Sequence, residues 1–230
     1  MDQTFFISQH EVLHALGTAN APFLIDVCVA EDVAADPYRV PGSHRRDHRD
    51  ACNLAQQTPE DRTVVVVCQK GRKLSQGVAA YLRAGGCDAR VLRGGVLQWG
   101  ADGLPRIPEA VRAHTYVLSP PCTADTYLAA WLIRRWIAPD ARILWVPQDA
   151  AHDVADRFDA RHLAQEQAVA ALLRACALTW TPLVAFLNAN HGWKDLLRAP
   201  EQMHGTPDAA VNAALPVIDA AWVALRKSAS

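Results

Sequence analysis

The chain has 230 residues, half of them hydrophobic, which is enough to bury a sizeable core in one large domain or two small ones. Its formal net charge is -1, from 23 basic and 24 acidic side chains. This balance excludes the basic footprint of a nucleic-acid-binding protein and a polybasic membrane arm. The N-terminus shows no signal-peptide pattern, and no apolar run approaches the roughly 20 residues that span a bilayer. We therefore expect a cytoplasmic protein that contacts neither nucleic acid nor membrane.

The first half of the chain alternates between helical and strand patterns. Ser8 and Glu11 fit a capping box that opens a short helix ending near Leu16. The segment TVVVV at 63–67 is apolar throughout rather than alternating, which is typical of a strand buried on both faces of a sheet. The other predicted strands and helices of this half are 23–27, 50–57, 74–84 and 89–92. This order predicts an α/β fold, with a parallel sheet and helices on both of its faces.

Two prolines in the segment LPRIPEAVR, Pro105 and Pro108, interrupt the patterns on either side of them. Proline restricts the backbone and removes an amide donor, so it punctuates regular structure. We therefore predict a first domain at residues 1–107 and a second at residues 108–230.

The second half of the chain is predicted to be a mostly helical α+β domain. A long helix capped near Thr123 separates strand patterns at 115–119 and 142–147, and the patterns after Asp149 are almost wholly helical. Pro216 lies inside the last helical pattern, so that helix should kink or restart there.

Cys68 stands where the TVVVV run stops and a loop with Gly71, Arg72 and Lys73 begins. In an open α/β sheet, ligands bind at the carboxyl ends of the strands. Loop N–H groups and the N-terminus of the following helix would stabilise a negative charge on the sulfur. Arg72 and Lys73 would also attract an anionic substrate. The pattern predicts a nucleophilic thiolate.

The segments CQKGRKLS, RAGGCDA and VLRGGVLQW, together with LIDV and VPGSHR upstream, resemble the rhodanese family over residues 1 to about 107. The resemblance implies a sulfurtransferase without a cofactor. Cys68 would take a sulfane sulfur from a small anionic donor such as thiosulfate and hold it as a persulfide. A protein thiol, a low-molecular-weight thiol or a cyanide-like acceptor would then receive the sulfur. The implied substrate-binding residues are Gln69, Lys70, Gly71, Arg72 and Lys73.

The chain departs from the family pattern at two places. Cys28 stands where many members carry an Arg that pairs with an acidic residue such as Glu31, so the resemblance implies that this ion pair is missing. Leu74 stands where many carry Ser, with Ser75 one place later, which implies the loss of a polar contact to the persulfide. A phosphatase or arsenate-reductase version of the fold commonly has His before the Cys and Arg six residues after it. Val67 and Leu74 occupy those places and do not favour it.

The remaining chemistry-bearing residues of the first half have simpler interpretations. Asp26 is interpreted as structural, and Gly94 with Gly95 as a tight turn. The cysteines lack a CxxC pair and any zinc spacing, so they are expected to be thiols, without a disulfide frame or a metal site. Five of them are interpreted as inert packed side chains: Cys28, Cys52, Cys87, Cys122 and Cys176.

Residues 124–147, ADTYLAAWLIRRWIAPDARILWVP, resemble the C-terminal domain of chromate resistance protein B, which often follows a rhodanese domain. The chain lacks that family's Cys-Pro pair and its downstream His-rich stretch, so no site is assigned here. Arg134 and Arg135 could bind an oxyanion such as chromate, but they are interpreted as a solvated helix face. Six of the seven tryptophans lie in the second half and are expected to form core, because aromatic sets at helical spacing usually do.

Two functions from different classes remain open at this point. The first is a persulfide-forming sulfurtransferase with a helical partner domain. The second is a non-catalytic sensor or accessory protein in the response to chromate or oxidative stress, in which the rhodanese fold is only a binding module.

Overall fold

The computed structural model describes residues 5–59, 61–111, 113–188, 192–198, 200 and 203–226. These residues divide into two compact units. Unit 1 comprises Asn20–Ala110 with the described residues up to Leu16, and unit 2 comprises the described residues from Val111 onward with the segment Gly17–Ala19. The predicted domain division after residue 107 stays a prediction, since compactness alone does not define an independently folding domain.

Unit 1 contains a five-stranded parallel sheet and a separate antiparallel pair of strands. Its strands are β1 (Phe6–Ile7), β2 (Phe23–Asp26), β3 (Tyr38–Arg39), β4 (His44–Arg45), β5 (Val64–Val67), β6 (Ala89–Leu92) and β7 (Ile107–Pro108). The strand order of the sheet is β1-β6-β5-β2-β4, so that β5 is central, and β3 pairs with β7. The predicted α/β fold with a parallel sheet is confirmed.

Five helices connect the strands of unit 1. They are α1 (Gln9–Ala15), α2 (Ala30–Ala35), α3 (Ala51–Gln57), α4 (Lys73–Ala84) and α5 (Gly95–Ala101). The capping box of α1 is formed as predicted, because the Ser8 hydroxyl accepts from the Glu11 N–H and the Glu11 carboxylate accepts from the Ser8 N–H. α2 was not predicted, since its segment reads as a polar loop.

The core of unit 1 is built around β5, whose four valines are fully buried. Val64 and Val66 share one cluster with Cys68 and with side chains of α3 and α4. Burial on both faces explains why this strand shows no alternation of polar and apolar residues. β5 ends immediately before Cys68.

Unit 2 contains a three-stranded parallel sheet and, in its described residues, five α-helices. Its elements are β8 (Thr115–Leu118), α6 (Ala124–Leu132), β9 (Arg142–Trp145), α7 (Ala151–Arg157), β10 (Arg161–His162), α8 (Ala168–Ala175), α9 (Thr181–Asn188) and α10 (Pro207–Arg226). The strand order is β10-β8-β9. A capping box at Thr123 opens α6, as predicted, and a π-helical turn at Ile133–Ile137 continues it. β10 was not predicted.

An aromatic cluster forms the core of unit 2, as expected. Trp131, Trp136 and Trp222 are fully buried, and the ring centroids of Trp136 and Trp222 lie 5.7 Å apart. Gly17 packs against this cluster so closely that a Cβ there would lie 2.6 Å from Nε1 of Trp222. The tryptophans therefore serve packing, because rings of this size bury large apolar areas.

The last helix, α10, is continuous through Pro216, so of the predicted kink or restart the restart is wrong, and the kink stays a prediction. α10 packs against α6 and α9 within unit 2. It is 20 residues long with a mean hydropathy of 1.4, so by length and composition it could cross a membrane. This helix corrects the expectation that no segment of the chain is long and apolar enough to span a bilayer. One such helix is weak evidence for a span, because core helices have the same length and composition.

Candidate active site around Cys68

The Cys68 thiol lies directly after β5, at the carboxyl edge of the parallel sheet, and is only 5% exposed. Two groups contact its sulfur. The Arg72 main-chain N–H donates to Sγ at 3.4 Å, and the Ser75 hydroxyl lies 3.0 Å from Sγ. The sulfur therefore faces hydrogen-bond donors at the start of α4, where the helix dipole also favours negative charge.

Gly71 gives the loop after Cys68 its shape. Its φ is 63°, in the left-handed region that side chains disfavour. A Cβ at this position would lie 2.5 Å from the carbonyl oxygen of Leu92. Only glycine therefore lets the loop turn back so that the Arg72 N–H points at the sulfur.

The Gly94–Gly95 pair forms a turn, as predicted, and also supports the cysteine loop from the other side. A Cβ on Gly95 would lie 2.0 Å from the Cys68 carbonyl oxygen. The first turn of α5 donates to the loop, from Val96 N–H to the Cys68 carbonyl and from Leu97 N–H to the Gln69 carbonyl, both at 3.1 Å. The GGVLQW segment thus holds the backbone of the cysteine loop in place.

The structure brings the five predicted substrate-binding residues into one loop but gives them different surroundings. Arg72 reaches the sulfur through its main-chain N–H. The side chains of Lys70, Arg72 and Lys73 are exposed, and Gln69 is half-buried. Among the described residues none forms an ion pair with these three cations, so their charge is available to an anion in solution.

Ser75, rather than a residue at position 74, supplies the hydroxyl at the sulfur. The expected loss of a polar contact is therefore wrong. Ser75 is fully buried and also donates to the Arg72 carbonyl at 3.1 Å, whereas Leu74 packs against the core cluster. The helix begins at Lys73, and this start turns residue 75 rather than residue 74 toward Cys68.

A buried ionic network lies beside the site and was not visible in the sequence. The carboxylate of Asp26 is fully buried and accepts from Arg45 at 2.9 Å. Arg45 also donates to Glu109 at 2.6 Å, and Glu109 binds the buried Arg39 guanidinium through both of its oxygens. Asp26 is thus structural, as predicted. Sequence signals do not pair residues that lie this far apart.

Cys28 lies at the end of β2, next to β5, and its N–H donates to Asp26 at 2.9 Å. It is half-buried and lines a cavity of about 730 Å³, so its interpretation as a packed core side chain is wrong. Burial raises the pKa of the Cys28 thiol strongly, and Asp26 adds to the rise. Cys28 is therefore a neutral thiol near pH 7. Glu31 lines the same cavity.

The arginines of the second half are not a solvated face, which corrects that interpretation. Arg135 binds both carboxylate oxygens of Asp219, at 3.2 and 2.9 Å, and the Trp131 indole donates to the same carboxylate at 2.8 Å. Arg134 lies 3.4 Å from Asp208. Within the described part of the chain, no group of three or more His, Cys, Asp or Glu side chains could hold a metal ion.

In the parallel sheet, Cys68 follows the central strand, and a loop whose Arg72 N–H donates to the sulfur leads into α4. These features define a class of α/β domains with a cysteine at the carboxyl edge of the sheet. Within that class, residues 8–102 match the family model of the rhodanese-like domain. This part of the chain is a rhodanese-like domain, which confirms the resemblance of the first half of the chain to the rhodanese family. Comparison with curated proteins gave no significant match.

Several solved structures are similar to part of the chain. A full-length protein from Lactobacillus plantarum has 21% sequence identity and a TM-score of 0.42, covering 46% of this chain and 88% of that one. A rhodanese-related protein from Thermoplasma volcanium has 17% identity and a TM-score of 0.37, covering 44% and 96%. A rhodanese-like domain protein from Staphylococcus aureus has 26% identity and a TM-score of 0.37, covering 43% and 93%.

Proposed function

We propose that the rhodanese-like domain is a sulfurtransferase that carries a sulfane sulfur on Cys68. The observation that carries this proposal is the setting of the Cys68 sulfur, which lies against the Arg72 N–H and the Ser75 hydroxyl at the carboxyl edge of the sheet. Donors placed in this way stabilise an anionic sulfur, and the thiolate is the nucleophilic form of cysteine.

The proposed reaction has two displacement steps at sulfur. The Cys68 thiolate attacks the outer sulfur of thiosulfate, the S–S bond of the donor breaks, and sulfite leaves with the bonding electrons. Cys68 then carries a persulfide. An acceptor thiolate, or cyanide, attacks the outer sulfur of this persulfide, and the electron pair of the broken S–S bond returns to Cys68 as thiolate. No electron leaves the three reactants, so no cofactor is required.

The loop contributes charge and orientation to both steps. Lys70 and Arg72 in the loop after Cys68, and Lys73 at the start of α4, have exposed side chains that would draw a dianionic donor toward the sulfur. Main-chain N–H groups cannot lose their protons near neutral pH, so their stabilisation of the persulfide persists over the working pH range. The proposal therefore assigns steering to the side chains and stabilisation to the backbone.

Mass spectrometry of the protein after incubation with thiosulfate tests this proposal. We expect one added sulfur atom on the peptide that contains Cys68, with stoichiometric release of sulfite. The Cys68→Ala variant should acquire none and should show no turnover of thiosulfate and cyanide. Sulfur on another cysteine, or on none, would show that Cys68 is not the carrier.

The competing function, a sensor or accessory protein for chromate or oxidative stress, makes a different prediction in the same assay. A binding module should show no sulfur transfer above that of Cys68→Ala. The ion pairs of Arg134 and Arg135 with aspartates of α10 occupy the cations that would bind an oxyanion, which favours the sulfurtransferase. A stoichiometric, chromate-selective quenching of tryptophan fluorescence, absent with sulfate, would favour the sensor.

A further inference from the structure

A second cavity, of about 380 Å³, lies within unit 2. It is lined by residues of α6 and α8, which pack against each other, by the C-terminal end of α9 and by the 3₁₀ helix Gly192–Arg198. All of these elements belong to unit 2, so the cavity is a feature of this unit alone.

Most of the wall of this cavity is aliphatic. Leu128, Val169 and Leu187 are buried, and Leu173 beside them is half-buried. Apolar surface that faces water is unfavourable, and a ligand that covers it gains roughly 25 cal/mol for each Å² that it buries. An inorganic ion would leave this wall in water, so the wall fits a ligand with an apolar body.

Lys194 places a positive charge at the edge of this aliphatic wall. Its ammonium group donates to the Leu187 carbonyl, in the last turn of α9, at 3.0 Å. An ammonium group has three donors, and Lys194 forms no ion pair with a described residue. Burial lowers the pKa of Lys194, and the charge on Asp125 opposes this effect. A ligand anion at this position would likewise stabilise the charged lysine.

The other charges that line the cavity also favour an anion. Arg174 of α8 is exposed and has no ionic partner among the described residues. Asp125 is the one carboxylate among the described lining residues, and it is engaged by α8, because it accepts from the Ala168 and Val169 N–H groups. Two cations therefore face one carboxylate that already accepts two hydrogen bonds, which complements a negatively charged ligand group.

We propose that unit 2 binds a small amphipathic monocarboxylate in this cavity. The carboxylate of the ligand binds Lys194 and Arg174, and its apolar body lies against the aliphatic wall. The volume is at the lower end of the range of ligand cavities, roughly 300–1,000 Å³, so the ligand is small, of about ten non-hydrogen atoms. The inference gives unit 2 a binding function of its own and does not depend on the proposed sulfurtransferase.

The first experiment compares ligands on the full chain by ligand-observed NMR titration. Octanoate carries both features, octanamide has the same chain without the charge, and acetate has the charge without the chain. We expect the Kd of octanoate to be lower than that of either other ligand by about tenfold or more, because only octanoate combines a charge-assisted hydrogen bond with a buried chain.

Four results of this comparison would overturn the inference. Absence of saturable octanoate binding would show that the cavity takes no such acid. Octanamide as tight as octanoate would show that no carboxylate is recognised, and acetate or sulfate as tight as octanoate would show that the apolar wall contributes nothing. Octylammonium tighter than octanoate would show that the cavity selects a cation.

Lys194→Met tests the proposed carboxylate contact, since it removes the charge and keeps an unbranched side chain. The Kd of octanoate should rise about tenfold or more, and that of octanamide should stay within about twofold. Arg157→Gln is the matched control, because Arg157 is an exposed residue of α7 that does not line the cavity. An unchanged octanoate Kd in Lys194→Met would contradict the assignment. If this variant does not fold, Arg174→Gln, whose side chain is exposed, carries the same comparison.

A blocking variant tests the location of the site. Ala170 is an exposed residue of α8 that lines the cavity, so Ala170→Phe should fill part of it and abolish octanoate binding. Ala185→Phe is the control, since Ala185 is an exposed residue of α9 outside the cavity lining, and it should bind octanoate as wild type does. Octanoate binding that survives in Ala170→Phe would show that the acid binds elsewhere and would overturn the inference.

Discussion

At the scale of single residues, Ser75 has two hydrogen-bond partners whose roles depend on the charge of the sulfur. When Cys68 is a thiol, its S–H can donate to the Ser75 hydroxyl, which donates in turn to the Arg72 carbonyl. When the sulfur is anionic, the hydroxyl can rotate and donate to it over the 3.0 Å that separate the two atoms. Ser75 is therefore suited to both charge states of the reaction.

Replacement of Ser75 by Ala should slow sulfur loading of Cys68. A hydrogen bond to a charged group contributes roughly 1.5–3 kcal/mol, so the rate constant for persulfide formation should fall by about tenfold or more. Quenched reactions with thiosulfate, followed by peptide mass spectrometry, measure this rate. Leu74→Ser is the control, and it should stay near the wild-type rate because residue 74 packs against the core. A slower Leu74→Ser with an unchanged Ser75→Ala would contradict the assignment.

The residue scale also shows where sequence reasoning reaches its limit. Cys68 and its loop were predictable, since a buried strand, a glycine and a helix start follow one another along the chain. Which of Leu74 and Ser75 faces the Cys68 sulfur was not predictable, because it depends on the angle at which α4 leaves the loop. A shift of one residue turns a helical side chain by about 100°.

At the scale of elements, the backbone of the cysteine loop and the backbone of α5 come into direct contact at Gly95. This residue has a φ of 62°, and α5 donates two N–H groups to the loop carbonyls. In the sequence alone, two adjacent glycines predict a turn. The close approach becomes visible only when β5 and β6 are placed side by side.

Gly95→Ala should destabilise unit 1 and prevent sulfur loading. Its Cβ would meet the Cys68 carbonyl oxygen at 2.0 Å, so the loop must move, at a cost of about 2 kcal/mol or more. Gly77→Ala in the middle of α4 is the control, since nothing lies within 4 Å of its added Cβ. That variant should be more stable by about 0.5–1 kcal/mol and should load sulfur normally. Denaturant unfolding and peptide mass measure the two effects, and a fully loaded Gly95→Ala would contradict the prediction.

In unit 2, the Asp125 carboxylate caps α8, where it accepts from the Ala168 N–H at 2.8 Å and from the Val169 N–H at 3.4 Å. Burial nevertheless raises the pKa of Asp125, and these hydrogen bonds only partly oppose the rise. A carboxyl group whose pKa is higher in the folded state stabilises the fold most when protonated, and this contribution is lost as the pH rises through the folded pKa.

Comparison of wild type with Asp125→Asn should expose this pH dependence. An Asn side chain can accept the same N–H groups but does not titrate in this range. The unfolding free energy of wild type, relative to the variant, should therefore decrease as the pH rises above about 4, the ordinary pKa of an Asp side chain. Denaturant titrations at a series of pH values measure the difference. A difference that is constant, or that grows with pH, would show that the hydrogen bonds rather than burial control this carboxyl group.

The helices and strands also differ in how accurately the sequence predicts them. β5 and α4 have long, consistent patterns and were predicted within a residue or two. β1 and β10 have two residues each, and such short strands carry no period. Pairing with β6 and β8 makes them strands, so their existence depends on tertiary structure rather than on local preference.

At the scale of the whole molecule, the segment after β7 is anchored to unit 1 by Glu109. This residue binds both Arg39 and Arg45, and Arg45 in turn holds the buried Asp26 of β2. The prolines in this segment suggested a boundary after residue 107, because their backbone effect is local and visible in sequence. The compact unit extends to Ala110, and Glu109 within it is ion-paired with Arg39 and Arg45, which are distant in sequence.

Glu109→Gln in the full chain tests this anchor. The Arg39 side chain is 2% exposed, so loss of its charged partner leaves a nearly buried guanidinium unpaired, which should lower the unfolding free energy of unit 1 by about 2–4 kcal/mol. Asp36→Asn is the matched control, because it removes the pair with Arg106, whose side chain is 30% exposed and also stacks on Tyr38. The control should cost less, about 1 kcal/mol, since the Arg106 guanidinium is far more open to solvent than that of Arg39 and its pair is better screened.

Trypsin provides a second measurement of the same anchor. Arg106 precedes β7, which pairs with β3, so the protein should resist cleavage after Arg106 for as long as Glu109 holds this segment. Cleavage there requires local opening of the backbone, and its rate follows the population of the open form. Glu109→Gln should therefore be cut after Arg106 several-fold faster than wild type, with other arginines unaffected. Equal cleavage rates, together with an unchanged unfolding free energy, would show that β7 is held by its strand pairing alone and that Glu109 does not define the end of the unit.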